Sequence, residues 1–179
     1  MQKVLTAEQM REVDRLTTER YGIPSILLME NAAHAVARVI TEKLGGSVKG
    51  KSILILCGPG NNGGDGAALA RILWTQRAKV FVAMWGSWQD SKGDAKTNFE
   101  LLAKLNGYLE FIAIESREGL LDYWRHVRSE RKLDVIVDAV FGTGLTRPLD
   151  DDYIAFLDIA RDYSLDCHRS IVVAVDLPS

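Results

Sequence analysis

The stretch "CGPGNNGGDG", Cys57–Gly66, directly follows the apolar run "SILIL" at residues 52–56. Five of its ten residues are glycine, and two asparagines and one aspartate stand among them. Glycine loses more backbone entropy on ordering than any other residue, so a loop this rich in glycine indicates that bare backbone comes close to another group. The stretch therefore predicts a buried strand that ends in a loop built for close approach.

The composition is typical of one globular domain. The chain has 179 residues, of which 47% are apolar, and its net charge is -2, so no overall field attracts it to nucleic acid or to an anionic membrane. The start of the chain lacks the pattern of a signal peptide, and no apolar run is long enough for a bilayer. We expect a cytoplasmic protein that binds neither nucleic acid nor membrane. Cys57 and Cys167 lack metal-ligand spacing and predict two reduced thiols.

Two helices are predicted at the amino end, forming an arm over residues 1–46. Thr6 and Gln9 have the spacing of a capping box, and apolar residues follow at helical spacing. After a break at Pro24, a second pattern runs until Gly45. Its apolar residues share one face of an amphipathic helix. They are Ile26, Met29, Ala33, Val36, Ala37, Ile40 and Leu44.

From residue 51 to residue 179, short apolar runs alternate with helical patterns. The runs are predicted buried parallel strands at 52–57, 79–84, 109–114, 134–140 and 170–176. The helical patterns lie roughly at 64–77, 90–106, 116–130 and 151–165. This alternation predicts a doubly wound α/β sheet. Ligands of such sheets bind beyond the carboxyl ends of the strands, so the residues that follow each run carry the functional information.

The glycine loop matches two familiar nucleotide sites only in part. Gly58, Gly60 and Gly63 have the G-x-G-x-x-G spacing of a dinucleotide fold. That fold also needs an acid at the end of the next strand to hold the ribose hydroxyls, whereas this strand ends in "VAMWG". A P-loop is excluded because no Gly-Lys-Ser/Thr follows. What remains is a phosphate site formed by backbone amides and a helix start near Gly64.

The polar residues of the loop have a structural and a functional interpretation. Asn tolerates left-handed backbone angles and Asp caps helices, which would explain any one of these residues alone. Asn61, Asn62 and Asp65 all lie inside one glycine loop at a strand end. Together they favour a binding site.

Two further strand ends repeat this pattern. Asp138 opens "DAVFGTGL", in which Thr143 offers a hydroxyl, and Asp176 lies in "VDLPS". With Asp65, these carboxylates are expected to converge and repel one another, so a bound cation, a shared proton or a raised pKa must compensate. Oxygen ligands such as Asn62, Asp138 and Ser179 suit a hard cation.

These segments, taken together, resemble the NAD(P)H-hydrate epimerases, the YjeF N-terminal domain family. The resemblance includes "TAEQMREVD", "LLMENAAHAVA", "GPGNNGGDG", "DAVFGTGL" and "VDLPS", in the order of the family and across the whole chain. It implies a three-layer α/β/α Rossmann-like sandwich with a mainly parallel sheet, and a homodimer. It also implies repair of NADH and NADPH that have been hydrated at carbon 6 of the nicotinamide. The family interconverts the R and S epimers, and a separate dehydratase acts on the S epimer.

The resemblance also implies site residues. The positions that bind the hydrated nucleotide fall on Asn61, Asn62, Gly63, Gly64, Asp65, Gly142, Thr143, Gly144, Leu145, Thr146, Arg147, Pro148 and Asp176. The positions that hold a potassium ion fall on Asn62, Asp138 and Ser179. Among the aspartates, Asp176 is our candidate for the catalytic acid/base. Asp138 is better placed on the cation, and Asp65 lies nearer the phosphate loop.

Three further expectations complete the interpretation. The family continues beyond the "PS" at which this chain stops, so the carboxyl-terminal part of the domain is expected to be missing and the last strand to be an unpaired edge. His34 is expected at the surface, without a catalytic role. Two other functions are weighed: a non-catalytic scaffold of the same fold, as in RNA-processing assemblies, and a nicotinamide oxidoreductase, which the missing ribose acid opposes.

Overall fold

The computed structural model describes residues 5–130, 132–143, 150–165 and 170–176. Its centre is a five-stranded sheet with the order β3-β2-β1-β4-β5, and every neighbouring pair is parallel. The strands are β1 Ser52–Cys57, β2 Lys79–Trp85, β3 Glu110–Ile114, β4 Val135–Ala139 and β5 Ile171–Ala174. The doubly wound α/β fold predicted from the alternating pattern is therefore confirmed.

The part of the chain that the structure describes contains six α-helices. They are α1 Ala7–Tyr21, α2 Ser25–Lys43, α3 Asn61–Thr75, α4 Gly93–Ala103, α5 Arg117–Glu130 and α6 Asp151–Leu165. One hydrophobic core lies between the sheet and α2, α3 and α4, and a second lies beneath α5 and α6. Strand β1 serves both cores, because Ile53 and Ile55 point to the first and Leu54 and Leu56 to the second. None of these helices is long and apolar enough to cross a membrane in the part of the chain that is described.

The amino-terminal arm has one helix inside the fold and one outside it. The capping box of α1 is confirmed: the Gln9 amide donates to the Thr6 hydroxyl at 3.2 Å, and the Thr6 amide donates to Gln9 Oε1 at 2.9 Å. Helix α2 buries Met29, Ala33, Ala37 and Ile40 against the core, whereas α1 buries no residue. Packing in the core therefore holds α2, and α1 lies on the surface.

The structure differs from the sequence prediction in two respects. Helix α3 begins at Asn61 and not near Gly64, so the polar residues of the glycine stretch lie in the first turns of a helix. The outer strands are less buried than predicted, since β3 exposes Ile112 and β5 exposes Val172. Both are edge strands among the described residues, which agrees with the edge expected for β5.

Candidate active site

The glycines of the opening stretch allow three parts of the backbone to meet. A Cβ at Gly58 would overlap the Val140 carbonyl oxygen, and a Cβ at Gly63 would overlap the Gly58 carbonyl oxygen. A Cβ at Gly66 would lie 2.8 Å from Cys57 Sγ. The close approach predicted for this stretch is thus made by the protein's own backbone, which brings the start of α3 against the ends of β1 and β4.

The start of α3 presents amide groups to solvent. The first amides of any helix have no intrahelical acceptor, and the N-cap residue of this helix, Gly60, has no side chain that could accept a hydrogen bond from them. Gly60, Asn61 and Asn62 line a cavity of about 870 Å³ at the carboxyl edge of the sheet. Uncapped amides at a helix start carry partial positive charge, and an anionic ligand group is favoured there.

Asn62 ties α3 to the loop after β4. Its Nδ2 donates to the Phe141 carbonyl oxygen at 2.6 Å. The Phe141 ring in turn packs edge-on against Tyr153 of α6, with 4.7 Å between ring centroids. The loop that begins at Val140 is therefore held from both sides, and Asn62 Oδ1 is left as an acceptor.

Asp176 joins the loop after β4 to the loop after β5. Its Oδ2 accepts a hydrogen bond of 2.6 Å from the Thr143 amide. A Cβ at Gly142 would overlap the same oxygen, so glycine is required for Asp176 to lie this close to the backbone. Two predicted binding segments that are distant in sequence thus meet at one carboxylate.

The cavity at the carboxyl edge, called here the edge cavity, is formed by α1, the start of α3 and the loops after β4 and β5. Its described lining residues are Leu5, Thr6, Ala7, Met10, Arg11, Asp14, Ala32, Pro59, Gly60, Asn61, Asn62, Asp65, Val140, Phe141, Gly142, Thr143, Val175 and Asp176. It lies where the strand order reverses between β1 and β4, the position at which doubly wound sheets bind ligands. Its volume lies within the range of small-molecule sites.

Most of the predicted binding residues that can be described surround this cavity. Six of them line it: Asn61, Asn62, Asp65, Gly142, Thr143 and Asp176. Gly63 and Gly64 are buried in α3 behind them. Residues 144–148 and Ser179, which the resemblance assigns to the nucleotide and to potassium, lie outside the described residues. His34 is exposed, as expected.

Asp65 is the carboxyl group of the cavity with the most unusual environment. Its side chain is half-buried and forms no hydrogen bond or ion pair with any residue described. The pKa of Asp65 is raised from 3.8 to about 7, mainly by burial and then by the nearby charges of Asp176 and Asp14. A carboxyl group with a pKa near neutrality can both donate and accept a proton at physiological pH.

The raised pKa of Asp65 also predicts how stability depends on pH. The folded state keeps a proton that the unfolded state loses above about pH 4, so stability falls as pH rises from about pH 4 to about pH 7. Asp65→Asn removes this loss. We expect the difference in free energy of unfolding between Asp65→Asn and wild type to grow in favour of the variant by about 3–4 kcal/mol between about pH 4 and pH 8.

Urea unfolding at several pH values measures this difference. Glu42→Gln, at an exposed carboxylate on α2 outside the edge cavity, is the matched control and should follow wild type at every pH. A constant difference between Asp65→Asn and wild type across the range would show that Asp65 titrates as an ordinary carboxyl group.

Asp138 differs from the other two carboxylates in its position relative to the edge cavity. It ends strand β4 and is 7% exposed, and its Oδ1 accepts a hydrogen bond of 3.1 Å from the Val140 amide. It does not line the edge cavity. Of the three carboxylates that were expected to converge, only Asp65 and Asp176 line this cavity. Burial, followed by the charge of Asp138, strongly raises the pKa of the Cys57 thiol, which agrees with the reduced thiol predicted for Cys57.

Two charged residues of the site were missed by sequence reasoning. Arg11 and Asp14 of α1 line the edge cavity. Their spacing of three residues places them beside each other on one side of α1. That spacing was the available signal, but it does not show which way the arm folds.

A second cavity lies at the opposite edge of the sheet. It has a volume of about 750 Å³ and is lined by residues 77–81 and 106–110, where β2 and β3 begin, together with Trp74. Parallel sheets bind ligands at their carboxyl edge, and the predicted site residues lie around the other cavity. The edge cavity is therefore the candidate active site.

Together, the fold and this site define a doubly wound α/β protein with a polar cavity at the point where strand order reverses. A family model described as YjeF-related protein N-terminus matches residues 25–179. The chain belongs to this family, which confirms the resemblance found in the sequence.

Individual relatives agree with this assignment. The bifunctional NAD(P)H-hydrate repair enzyme Nnr of Moorella thermoacetica is 39% identical over 176 residues, which cover 98% of this chain and 31% of the relative. The NAD(P)H-hydrate epimerase of Limosilactobacillus fermentum is 33% identical over 99% of this chain and 75% of the relative. The crystal structure of yeast ynu0, YNL200c, superimposes with a TM-score of 0.77 at 25% identity and covers 99% of this chain and 71% of that one. The chain thus spans about a third of the length of the bifunctional relatives.

Proposed function

We propose that this protein interconverts the R and S epimers of hydrated NADH and NADPH in the edge cavity. Relatives that cover nearly all of the chain are named NAD(P)H-hydrate epimerase. The observation that carries the proposal is that Asp65 and Asp176, from separate segments, face one cavity beside the uncapped start of α3. Such a cavity offers two proton-transfer groups next to a place for phosphate.

The proposed chemistry is loss and return of a hydroxyl group at carbon 6. The hydrate is a hemiaminal, so the lone pair of the ring nitrogen can form a double bond to carbon 6 as the C–O bond breaks. Asp65, protonated, gives its proton to the departing hydroxyl, which leaves as water. A water molecule then adds to the other face of the ring and gives a proton to Asp176. The turnover ends with Asp65 ionised and Asp176 protonated, and the reverse reaction or exchange with solvent restores both.

The charge of the cavity suits this intermediate. Expulsion of the hydroxyl group leaves a cationic iminium ring, and carboxylates fixed nearby stabilise positive charge as it develops. Asp14, Asp65 and Asp176 all line the cavity. With the pKa of Asp65 at about 7 and Asp176 in a more exposed position, the two groups differ in environment in the way an acid and a base require.

The ligand would be held at both ends of the cavity. We assign its phosphates to the uncapped amides at Asn61 and Asn62 and to Arg11, the cation among the described lining residues. The loop after β4, from Gly142 to Pro148, would bind the same nucleotide, as the resemblance implies. Asn62 links these two parts through its bond to Phe141.

The donor atoms of Asn62 and Asp138 fit a potassium ion. The side-chain nitrogen of Asn62 makes the hydrogen bond to Phe141, so its amide oxygen does not take part in that bond. Asp138 offers a buried carboxylate. Hard monovalent and divalent cations take oxygen ligands of this kind. We propose that these two residues, with Ser179, hold potassium. A bound potassium ion would supply positive charge beside the loops after β1 and β4.

Potassium dependence tests this part of the proposal. Potassium is expected to raise the epimerisation rate of wild type, with choline chloride at equal ionic strength as the control. Asp138→Asn removes the charge without changing the size of the side chain, so its apparent potassium affinity should fall by about 10–100-fold. An unchanged potassium response in this variant would remove Asp138 from the metal site.

A coupled assay tests the proposed function itself. The purified chain is mixed with the R hydrate and an S-specific dehydratase, and the return of reduced-cofactor absorbance is followed. The expected result is a rate that increases with the amount of chain added. No increase at any potassium concentration would contradict the epimerase and favour the scaffold alternative.

The remaining parts of the proposal concern partners and location. We propose a homodimer, because α1 exposes Met10, Val13 and Leu16 and because β5 is an edge strand among the described residues. A dehydratase acting on the S epimer would use the product, and the bifunctional relatives support such a coupling. We place the reaction in the cytoplasm, where the reduced cofactors are used.

A further inference from the structure

Helix α1 contributes to the edge cavity although it contributes nothing to the core. Its N-cap Thr6 and its residues Ala7, Met10, Arg11 and Asp14 line the cavity, and none of the residues of the helix is buried. The match to the family model begins at residue 25, after this helix. Core packing therefore does not account for the polar side chains that α1 turns toward the site.

We propose that Asp14 is a positioning residue that keeps the catalytic proton on Asp65. The two carboxyl groups line one cavity, and neither forms a hydrogen bond or an ion pair with a described residue. Two carboxyl groups that share a cavity without a cation paired to either of them disfavour double ionisation. Because Asp65 is the more buried of the two, the proton resides on Asp65.

The charged groups around Asp65 come from several elements. Helix α1 supplies Arg11 and Asp14, and the loop after β5 supplies Asp176. Strand β4 carries Asp138 behind the cavity, beside the neutral thiol of Cys57.

The other elements near Asp65 present no charge to the cavity among the described residues. Helix α2 contributes Ala32, and α3 itself contributes Asn61 and Asn62. The charges that act on the Asp65 proton are thus those of Asp176 and, after it, Asp14. Of these two residues, Asp14 is the one that belongs to α1.

The consequence for the reaction rests on the proposed function. The acid must be protonated to expel the hydroxyl group, so activity should fall with a descending limb as Asp65 ionises. Removing the charge of Asp14 makes that ionisation easier. Asp14→Asn is therefore expected to move the descending limb of the pH profile to lower pH by about half a unit. At pH values above the limb, kcat/KM should fall about threefold, and at pH values well below it kcat/KM should not change.

The titration of Asp65 can be measured without turnover. Carboxyl-carbon NMR follows its ionisation in wild type, Asp14→Asn and Asp14→Glu. Glu12→Gln is the matched control, because it removes the same charge from the same helix at a residue that pairs with Arg15 and does not line the cavity. The expected result is a lowered midpoint in Asp14→Asn alone, recovery in Asp14→Glu, and a smaller effect of Asp14→Asn in high salt.

The outcomes separate this proposal from the proposed function. Equal shifts in Asp14→Asn and Glu12→Gln, or no shift in either, would overturn the role of Asp14. A shift specific to Asp14→Asn in a protein that converts no hydrate would uphold the coupling between the two carboxyl groups and contradict the epimerase. Asp14 is exposed and without a described partner, so its variants should fold like wild type.

Discussion

Asp65→Asn is expected to lower kcat for hydrate epimerisation by about 10²–10⁴-fold, the usual contribution of a positioned acid or base. Asparagine keeps the size of the side chain and cannot release the proton that the departing hydroxyl group needs. Asp176→Asn should cause a loss of similar size, because the water that returns would have no base. The coupled dehydratase assay measures both variants, and the double variant should lose little more than either alone.

Two controls make this result interpretable. Asp90→Asn changes an exposed aspartate outside the edge cavity and should retain wild-type kcat. The thermal unfolding of Asp65→Asn should be no less cooperative than that of wild type, since the variant removes a half-buried acid without other described bonds. Activity of Asp65→Asn within about threefold of wild type would show that this carboxyl group is not the acid.

Gly63→Ala is expected to destabilise the fold by at least about 3 kcal/mol, the scale of severe overpacking. The new methyl group would overlap the Gly58 carbonyl oxygen, which belongs to backbone and cannot rotate away. Relief requires the start of α3 to move from the ends of β1 and β4. Such a movement would also separate Asn62 from Phe141 and distort the site.

Gly60→Ala is the matched control for this substitution. Gly60 lies three residues earlier, has an ordinary φ of -92°, and has no atom within 4 Å of the position of a Cβ. Its free energy of unfolding should change by no more than about 0.5 kcal/mol. Chemical denaturation compares the two variants, and equal losses would mean that glycine is needed in this stretch for reasons other than close approach.

The sequence contained most of the fold because its local signals agreed with one another. The capping box at Thr6 and Gln9 fixed the start of α1, and the apolar runs located all five strands of the sheet. The start of α3 was predicted three residues late. Asn61 and Asn62 are poor helix formers, and glycines surround them, so local preference indicated a loop. Contact of the first turn with β1 and β4 overrides that preference.

The site was predicted less completely, because part of it depends on tertiary placement. The strand-end rule located Asp65, Asp138 and Asp176, but not which of them share a cavity. Arg11 and Asp14 could not be assigned from the sequence, since the pattern of an arm helix does not say where the arm packs.

Oxygen exchange at carbon 6 is the most direct measurement of the proposed reaction. The R hydrate is incubated with the chain in water enriched in oxygen-18. The S hydrate is then isolated, and its oxygen-18 content is measured by mass spectrometry. Each conversion by wild type should place one solvent oxygen on carbon 6, and the double variant Asp65→Asn, Asp176→Asn should add none beyond the uncatalysed rate. If the S hydrate keeps its original oxygen, the hydroxyl group is not lost and returned. If the double variant incorporates solvent oxygen as fast as wild type, these two carboxyl groups do not catalyse the exchange.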